Sequence, residues 1–276
     1  MINKFIGISF IFSVFISFGL SAQIQTEDYN KHSVRPVKKQ HQMLKRTLWW
    51  RIDLRQKINV GFFAENNEIT RLIIDGVKKG KINPYKNDSL MTRLSMQQFL
   101  ERLQLPIVEE LEELDTSDDD AEWGTPTVTA ANVDVETPDE YLPRQLFVLE
   151  LKEDRIFDKM QSRMVHDIQA ITIIIPGSQT NTGLDLVLGS FSYKELAENL
   201  FKDNPNAIWY NMQNAAEHRN LAHAFDMRLF DGKLVKFNNP RDNSIIDMYK
   251  GGRRAAMMSE RAIHKMIEEE VLLWSY

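Results

Sequence analysis

The sequence predicts an α+β fold: mixed helices and short β-strands with an extended N-terminal arm and an acidic linker. Two observations lead to this prediction. Apolar residues recur at helical spacing in several segments, and short runs rich in Leu, Ile, Val and Phe lie between them. The two signals do not alternate in the regular strand–helix order of a parallel sheet, and no repeat of fixed period is present.

The first predicted helix spans residues 66–79, where four apolar residues share one face and Gly80 follows as a stop. Ser95 and Gln98 form a capping-box pattern that predicts the start of a short helix. The strands are expected at residues 145–151, 168–175 and 184–191.

The second half of the chain carries three more predicted helices. Ser192 and Glu195 form another capping-box pattern, with Leu196, Ala197, Leu200 and Phe201 expected to be buried. A further helix is predicted over residues 215–225, and the longest over 254–274. The last helix has one apolar stripe, made of Ile263, Met266, Ile267, Val271 and Trp274.

The start of the chain is typical of a secretory signal peptide. Lys4 precedes an uncharged apolar run at residues 6–20, and Ser21 and Ala22 offer a cleavage site after residue 22. The run is shorter than the roughly 20 residues that a membrane-spanning helix needs. Because the chain has no cysteine, it has no disulfide and cannot carry the lipid anchor of a lipoprotein. We therefore expect a periplasmic protein that meets a membrane only through its partners.

Composition divides the chain into five predicted segments. The span from Lys31 to Lys57 is strongly basic, and it could be a solvated arm or a docking arm for an acidic partner or for anionic lipid head groups. The net charge of −5 argues against nucleic acid as a partner. The segments are a signal peptide (1–22), an extended basic arm (23–45), an N-terminal helical part (46–106), an acidic flexible linker (107–143) and an α+β C-terminal part (144–276).

No pattern in the sequence indicates catalysis. His218 and His223 are five residues apart, so on a helix their rings would point to different faces and could not share a zinc ion. The serine-nucleophile patterns G-x-S-x-G and S-x-x-K are absent. We expect no catalytic residue, no cofactor and no metal site.

Aromatic residues beside arginine are typical of protein interfaces, although most buried aromatics belong to the core. A terminus that ends in Trp-Ser-Tyr also suggests docking. A buried role for the first tryptophan pair stays open. The candidate partner-binding residues are Trp49, Trp50, Arg51, Asp53, Arg55, Trp274 and Tyr276.

Four blocks of the chain together resemble one family, the gliding motility protein N and PorN family of the type IX secretion system. They begin at Arg51-Ile52-Asp53-Leu54-Arg55, at Leu151-Lys152-Glu153-Asp154-Arg155, at Phe225-Asp226-Met227-Arg228-Leu229, and at Ser259-Glu260-Arg261 in the helix that ends in Trp274-Ser275-Tyr276. The sequence departs from the family pattern at Gln56 and Arg155, and residues 184–210 match it poorly.

The resemblance implies a structural subunit of a periplasmic ring. Such a subunit binds an outer-membrane lipoprotein, contacts the periplasmic domain of an inner-membrane motor protein and associates with itself in the ring. The alternative is a periplasmic hydrolase or small-ligand-binding protein, which would gather carboxylates or histidines in one cleft.

Overall fold

The computed structural model describes residues 30–105, 140–202 and 204–274. A five-stranded antiparallel sheet forms its centre, and two short hairpins lie beside it. The strands are β1 (Gln42–Asp53), β2 (Phe63–Ala64), β3 (Asn67–Glu68), β4 (Val148–Asp158), β5 (Arg163–Ile175), β6 (Leu186–Ser192), β7 (Ile208–Trp209), β8 (Arg219–Asn220) and β9 (Lys233–Phe237). The main sheet has the order β6-β5-β4-β1-β9.

Six helical elements pack around the sheet, which confirms the predicted α+β class. They are α1 (Ile69–Lys78), α2 (Met96–Leu103), α3 (Tyr193–Glu195, continued by the π-helical turn Leu196–Phe201), α4 (Leu221–Asp226), α5 (Ile245–Met248) and α6 (Gly252–Trp274). Short 3-10 turns occur at Lys39–His41, Val60–Phe62, Pro143–Gln145 and Gly177–Gln179. Within the described ranges, no helix is both long and apolar enough to cross a membrane.

Strand β1 was not predicted, yet it lies between β4 and β9 and pairs with both. Leu48, Trp50 and Ile52 lie on one face of the strand, and Trp49 is buried on the other, inside a run that is otherwise basic. The strand begins at Gln42, before the boundary that the sequence analysis placed at residue 45. It also joins the N-terminal part to the C-terminal part in one sheet.

The core has two main clusters, which pack against different parts of the sheet. The larger is formed by strands β1, β4, β5 and β6 with helices α1 to α4, and its largest fully buried side chains include Phe62, Phe99 and Phe225. The smaller lies between the β1–β9 edge and helices α5 and α6, around Leu48, Leu234 and Met266. Helices α5 and α6 are thus held at one edge of the sheet, apart from α1 to α4.

The predicted start of α2 is confirmed. The Ser95 hydroxyl accepts from the Gln98 backbone N–H, and the Gln98 side chain accepts from the Ser95 N–H, each at 3.2 Å. The first predicted helix is also confirmed as α1, and Gly80 follows it with a φ of +67°. A left-handed residue of this kind ends helices because glycine adopts it without a steric cost.

The capping box predicted at Ser192 is wrong, although the helix itself forms. Ser192 makes no capping hydrogen bond, because the Glu195 carboxylate instead accepts from the Tyr85 hydroxyl at 3.0 Å. The expected burial of Leu196, Leu200 and Phe201 is confirmed.

The helix predicted over residues 215–225 is shorter in the structure. Asn220 caps α4 by accepting from the Ala222 N–H at 2.9 Å, so the helix begins only at Leu221. The residues before it form a turn and the strand β8. Asparagine competes for backbone donors in this way, and it therefore favours a cap over a helix interior.

The signal peptide and most of the predicted linker lie outside the described residues. Where the structure resumes, Tyr141 is buried, and its hydroxyl donates to the Gln179 carbonyl at 3.2 Å. The last residues assigned to the linker, 140–143, are therefore packed against the fold.

Candidate functional site

Trp49 and Trp50 point to opposite faces of the sheet, because consecutive strand residues alternate. Trp49 is buried at 8% exposure, and Trp50 is half-buried. Each indole N–H donates to a carboxylate inside the fold, Trp49 to Asp88 at 2.8 Å and Trp50 to Glu153 at 2.6 Å. The structure therefore gives both tryptophans internal partners, which is the buried alternative that the sequence left open.

Trp49 lies among charged side chains on its face of the sheet. Lys152 approaches its ring at 5.3 Å and Lys236 at 4.5 Å, both within cation–π range. Lys152 also binds Asp88 at 3.1 Å. Burial alone would raise the pKa of Asp88, but its contacts with Trp49 and Lys152 lower it below the ordinary value.

Trp50 belongs to a charged cluster on the other face. We call it the Glu153 cluster: Trp50, Glu153, His166 and Arg228. Glu153 has no solvent exposure, and its carboxylate contacts the Trp50 indole and the Arg228 guanidinium. The Nδ1 atom of His166 lies 3.6 Å from the same carboxylate. Burial would raise the pKa of Glu153, but His166 and Arg228 hold it below its ordinary value. Glu153 is therefore the anion at the centre of this cluster.

Arg228 reaches Glu153 through an unusual backbone conformation. Its φ is +53°, and it stands just after α4 where helices commonly carry glycine. The Arg228 N–H donates to the Phe225 carbonyl at 2.9 Å, and the Leu229 N–H donates to the Ala224 carbonyl at 3.0 Å. These two bonds form a Schellman motif, and the turn directs the guanidinium over the Trp50 ring at 5.6 Å.

The cluster brings together residues from three parts of the chain that are far apart in the sequence, in or next to the blocks that resemble the family. Trp50 stands immediately before the first block, Glu153 lies in the second and Arg228 in the third. Sequence reasoning gave no role to Glu153, Arg228 or His166, since nothing in the spacing shows that they meet. Glu153 stands beside Lys152, Asp154 and Arg155 in β4, so no local signal marks it as the fully buried charge.

Arg51, Asp53 and Arg55 lie at the end of β1 and also have partners within the chain. Arg51 binds Asp185 at 2.5 Å, and Arg55 binds Asp53 at 3.2 Å. The Arg55 guanidinium stacks 3.4 Å from the centre of the Phe147 ring. All of these charges are partly exposed, so they stay accessible to a partner at this end of the sheet.

Trp274 lies at the end of α6 and is 60% exposed. Of the predicted apolar stripe on this helix, Met266 is buried and Ile263 is half-buried, whereas Ile267 and Val271 are exposed. The last two turns therefore present an apolar surface, which we call the α6 patch: Ile267, Val271 and Trp274. Tyr276 lies outside the described residues.

A groove of about 640 Å³ lies between α6 and the β1–β9 edge of the sheet. Four basic side chains line it, Lys45, Arg46, Arg261 and Lys265, and none of the described residues that line it is acidic. Its apolar lining is made of Phe237, Tyr249, Met258, Ala262 and Met266. We call it the basic groove. Its basic residues come from distant parts of the chain, so no pattern in the sequence indicates it.

A second cleft, of about 540 Å³, gathers carboxylates beside His166 and bears on the hydrolase alternative. Asp226 binds Arg35 at 2.8 Å, Asp158 accepts from the Met160 N–H at 2.8 Å, and Asp167 accepts from the Gln169 side-chain amide at 2.7 Å. These carboxylates are engaged by the fold itself, an arrangement that supports a structural role. Across the described ranges, no three His, Asp or Glu side chains lie together as metal ligands would.

The sequence has no match among curated proteins. Residues 37–275 match the family described as gliding motility associated protein GldN. The match includes the basic groove, the α6 patch and the Glu153 cluster, and it covers most of the chain. The chain therefore belongs to the GldN family, whose members are components of the gliding motility and type IX secretion machinery.

Proposed function

We propose that this chain is a structural subunit of the periplasmic ring of the type IX secretion and gliding machinery. In this role it binds an outer-membrane lipoprotein, contacts the periplasmic domain of the inner-membrane motor protein and associates with further copies of itself. In this role it works by binding and not by catalysis, and it meets the outer membrane through the lipoprotein.

The α6 patch is the observation that carries this proposal. Val271 and Trp274 are 64% and 60% exposed at the end of a long helix, although both are large apolar side chains. Clustered exposed apolar residues mark interaction sites, and tryptophan is the side chain most often found at the centre of an interface. The patch fits a partner that presents an apolar surface of its own.

Two features hold the patch in place for a partner. Arg46 binds Glu269 at 2.7 Å, and Arg155 binds Glu270, so that α6 is fixed to β1 and β4 just before its last turn. The buried Ser259 hydroxyl donates to the Leu234 carbonyl at 2.8 Å and fixes the helix to β9. A rigid surface loses little entropy when it binds.

The test is co-expression of residues 23–276 with the outer-membrane lipoprotein of the same ring, followed by size measurement and electron microscopy. We expect large rings that contain both proteins. Trp274→Ala together with Val271→Ala should weaken the association by about tenfold or more, because interface tryptophans carry a large share of the binding energy.

Met91→Ala is the matched control, since Met91 is an apolar side chain with 84% exposure that lies outside the patch. It should assemble as the unchanged chain does. A chain that stays apart from the lipoprotein would contradict the proposed function. Rings that form equally well with the altered patch would contradict the role given to α6.

A further inference from the structure

The basic groove carries positive charge that the fold does not fully neutralise. Lys45 binds Asp154 and Arg46 binds Glu269, each within 2.8 Å. Arg261 and Lys265, one turn apart on α6, are exposed and form no ion pair with any residue in the described ranges. Two adjacent cations therefore face the groove without a counter-charge, a pattern that favours an anionic occupant.

The floor of the groove is apolar. Phe237 and Met258 are half-buried, and both pack against the cluster that contains the buried Met266. A small inorganic anion would leave this floor exposed to water, whereas a peptide with both acidic and apolar side chains would cover it. The lining thus selects an acidic peptide that also carries large apolar residues.

The chain itself contains a segment of this chemistry. Residues 106–139 include twelve acidic side chains and no basic one, while the whole chain has a net charge of only −5. Leu111 and Leu114 stand directly beside Glu110, Glu112 and Glu113. The rest of the chain is consequently basic, so the segment and the groove are complementary in charge.

The two features lie at opposite edges of the sheet. Gln104 and Glu140, which flank the segment, form a bridge with each other near α2, and α2 packs against β6. Helix α6 packs against β9, at the opposite edge of the sheet. With strands about 4.8 Å apart, roughly 19 Å of sheet separates the two edges.

We propose that the acidic segment 109–122 of one copy binds the basic groove of a neighbouring copy. The contact is head-to-tail, because the segment leaves the fold at one edge of the sheet and the groove lies at the other. Head-to-tail contacts of this kind close into rings when the rotation between copies allows it. This inference rests on the self-association that the proposed function includes.

The first test compares two full-length variants at low ionic strength. Arg261→Glu with Lys265→Glu reverses the charge of the groove and leaves the acidic segment intact. Glu109→Gln, Glu110→Gln, Glu112→Gln and Glu113→Gln remove four of the nine negative charges of the segment, those beside Leu111 and Leu114, and leave the groove intact. Sedimentation velocity should show that each variant alone self-associates on the order of tenfold more weakly than the unchanged chain.

Mixing the two variants gives the decisive result. The groove of one variant and the segment of the other are still a matching pair, so the mixture should form one-to-one dimers that grow no further. A mixture that stays monomeric would show that the segment does not bind the groove, and it would overturn the proposal.

Lys57→Glu with Lys202→Glu is the control for net charge. Both lysines are exposed and lie outside the groove, and the pair changes the charge by the same amount as the groove variant. It should self-associate as the unchanged chain does. Equal loss in this control would mean that bulk charge, and not the groove, governs association.

The outcomes also separate this inference from the proposed function. Rings with the lipoprotein that tolerate both the groove and the segment variants would overturn the groove contact alone. A chain that neither self-associates nor enters rings would overturn both.

Discussion

The carboxylate of Glu153 and the guanidinium of Arg228 form an ion pair whose carboxylate is fully buried, although 75 residues separate the two in the chain. Glu153 lies at the bulge between β4 and β5, and Arg228 follows α4 in a left-handed conformation. The pair fixes the turn after α4 against the centre of the sheet. It is the contact whose loss we expect to be most costly for the fold.

Replacing Glu153 by Gln should lower the free energy of unfolding by about 3 kcal/mol, because the Arg228 cation loses its counter-charge. Urea unfolding followed by tryptophan fluorescence would measure the change. Glu198→Gln, at an exposed position of α3, should change stability by less than about 0.5 kcal/mol. Equal effects of the two changes would contradict the central role of Glu153.

Replacing Arg228 by Gly separates backbone strain from the ion pair. Glycine accepts the φ of +53° more readily than arginine, which alone would stabilise the fold by about 1 kcal/mol. The loss of the cation next to the buried Glu153 outweighs that gain, so we expect a net loss of about 2 kcal/mol in thermal or urea unfolding. A more stable variant would show that the ion pair contributes little.

Asp167 should make the fold less stable as the pH rises. Burial, and then the neighbouring Asp154, raise its pKa from 3.8 to about 6. The folded state therefore binds the proton more tightly than the unfolded chain, and stability falls as the pH rises from about 4 through 6.

Asp167→Asn removes this penalty. It should raise the free energy of unfolding by up to about 3 kcal/mol at about pH 8, and the gain should vanish near pH 4. Urea unfolding at a series of pH values would measure it. A gain that does not depend on pH would rule out titration of Asp167 as the cause.

Gly61 has no room for a side chain. A Cβ atom there would lie 2.5 Å from the Trp209 Nε1 atom and 2.8 Å from the Tyr210 carbonyl oxygen. Gly61→Ala should therefore cost about 1–3 kcal/mol, measured by thermal unfolding. Gly252→Ala is the matched control, because nothing lies within 4 Å of its added Cβ atom, and it should leave the stability unchanged or slightly raised.

The two candidate tryptophans should respond differently to truncation. Trp49→Ala removes a buried side chain and its bond to Asp88, so it should lower the free energy of unfolding by about 3–5 kcal/mol. Trp274→Ala removes an exposed side chain and should cost less than about 0.5 kcal/mol. A large stability loss from Trp274→Ala would contradict its assignment to a docking surface.

The elements that the sequence predicted are those whose signals are local. The cap at Ser95 needs only Gln98, and the stop at Gly80 needs only a free φ. The same reasoning failed at Ser192, because Glu195 is engaged by Tyr85, which is 110 residues away in the chain. A local pattern cannot show that one of its residues is hydrogen-bonded to a distant side chain instead.

The same distinction between local signals and distant contacts applies to the candidate site. The α6 stripe was predicted from its spacing, but spacing cannot tell that Met266 faces the sheet while Val271 faces solvent. The basic groove combines Lys45 from β1 with Lys265 from α6, which only the folded chain brings together. The Glu153 cluster was missed for the same reason.

The place of β1 in the sheet has a consequence for how the chain folds. Trp49 pairs with Lys152 on one side and with Lys236 on the other, so both neighbours of β1 come from much later in the chain. Sheets built from such distant pairs fold slowly, and their first strand waits unpaired until the later strands arrive. An apolar strand that stays unpaired during folding can associate with other chains. Charged residues within β1, such as Arg46 and Arg51, oppose such association while the strand is unpaired.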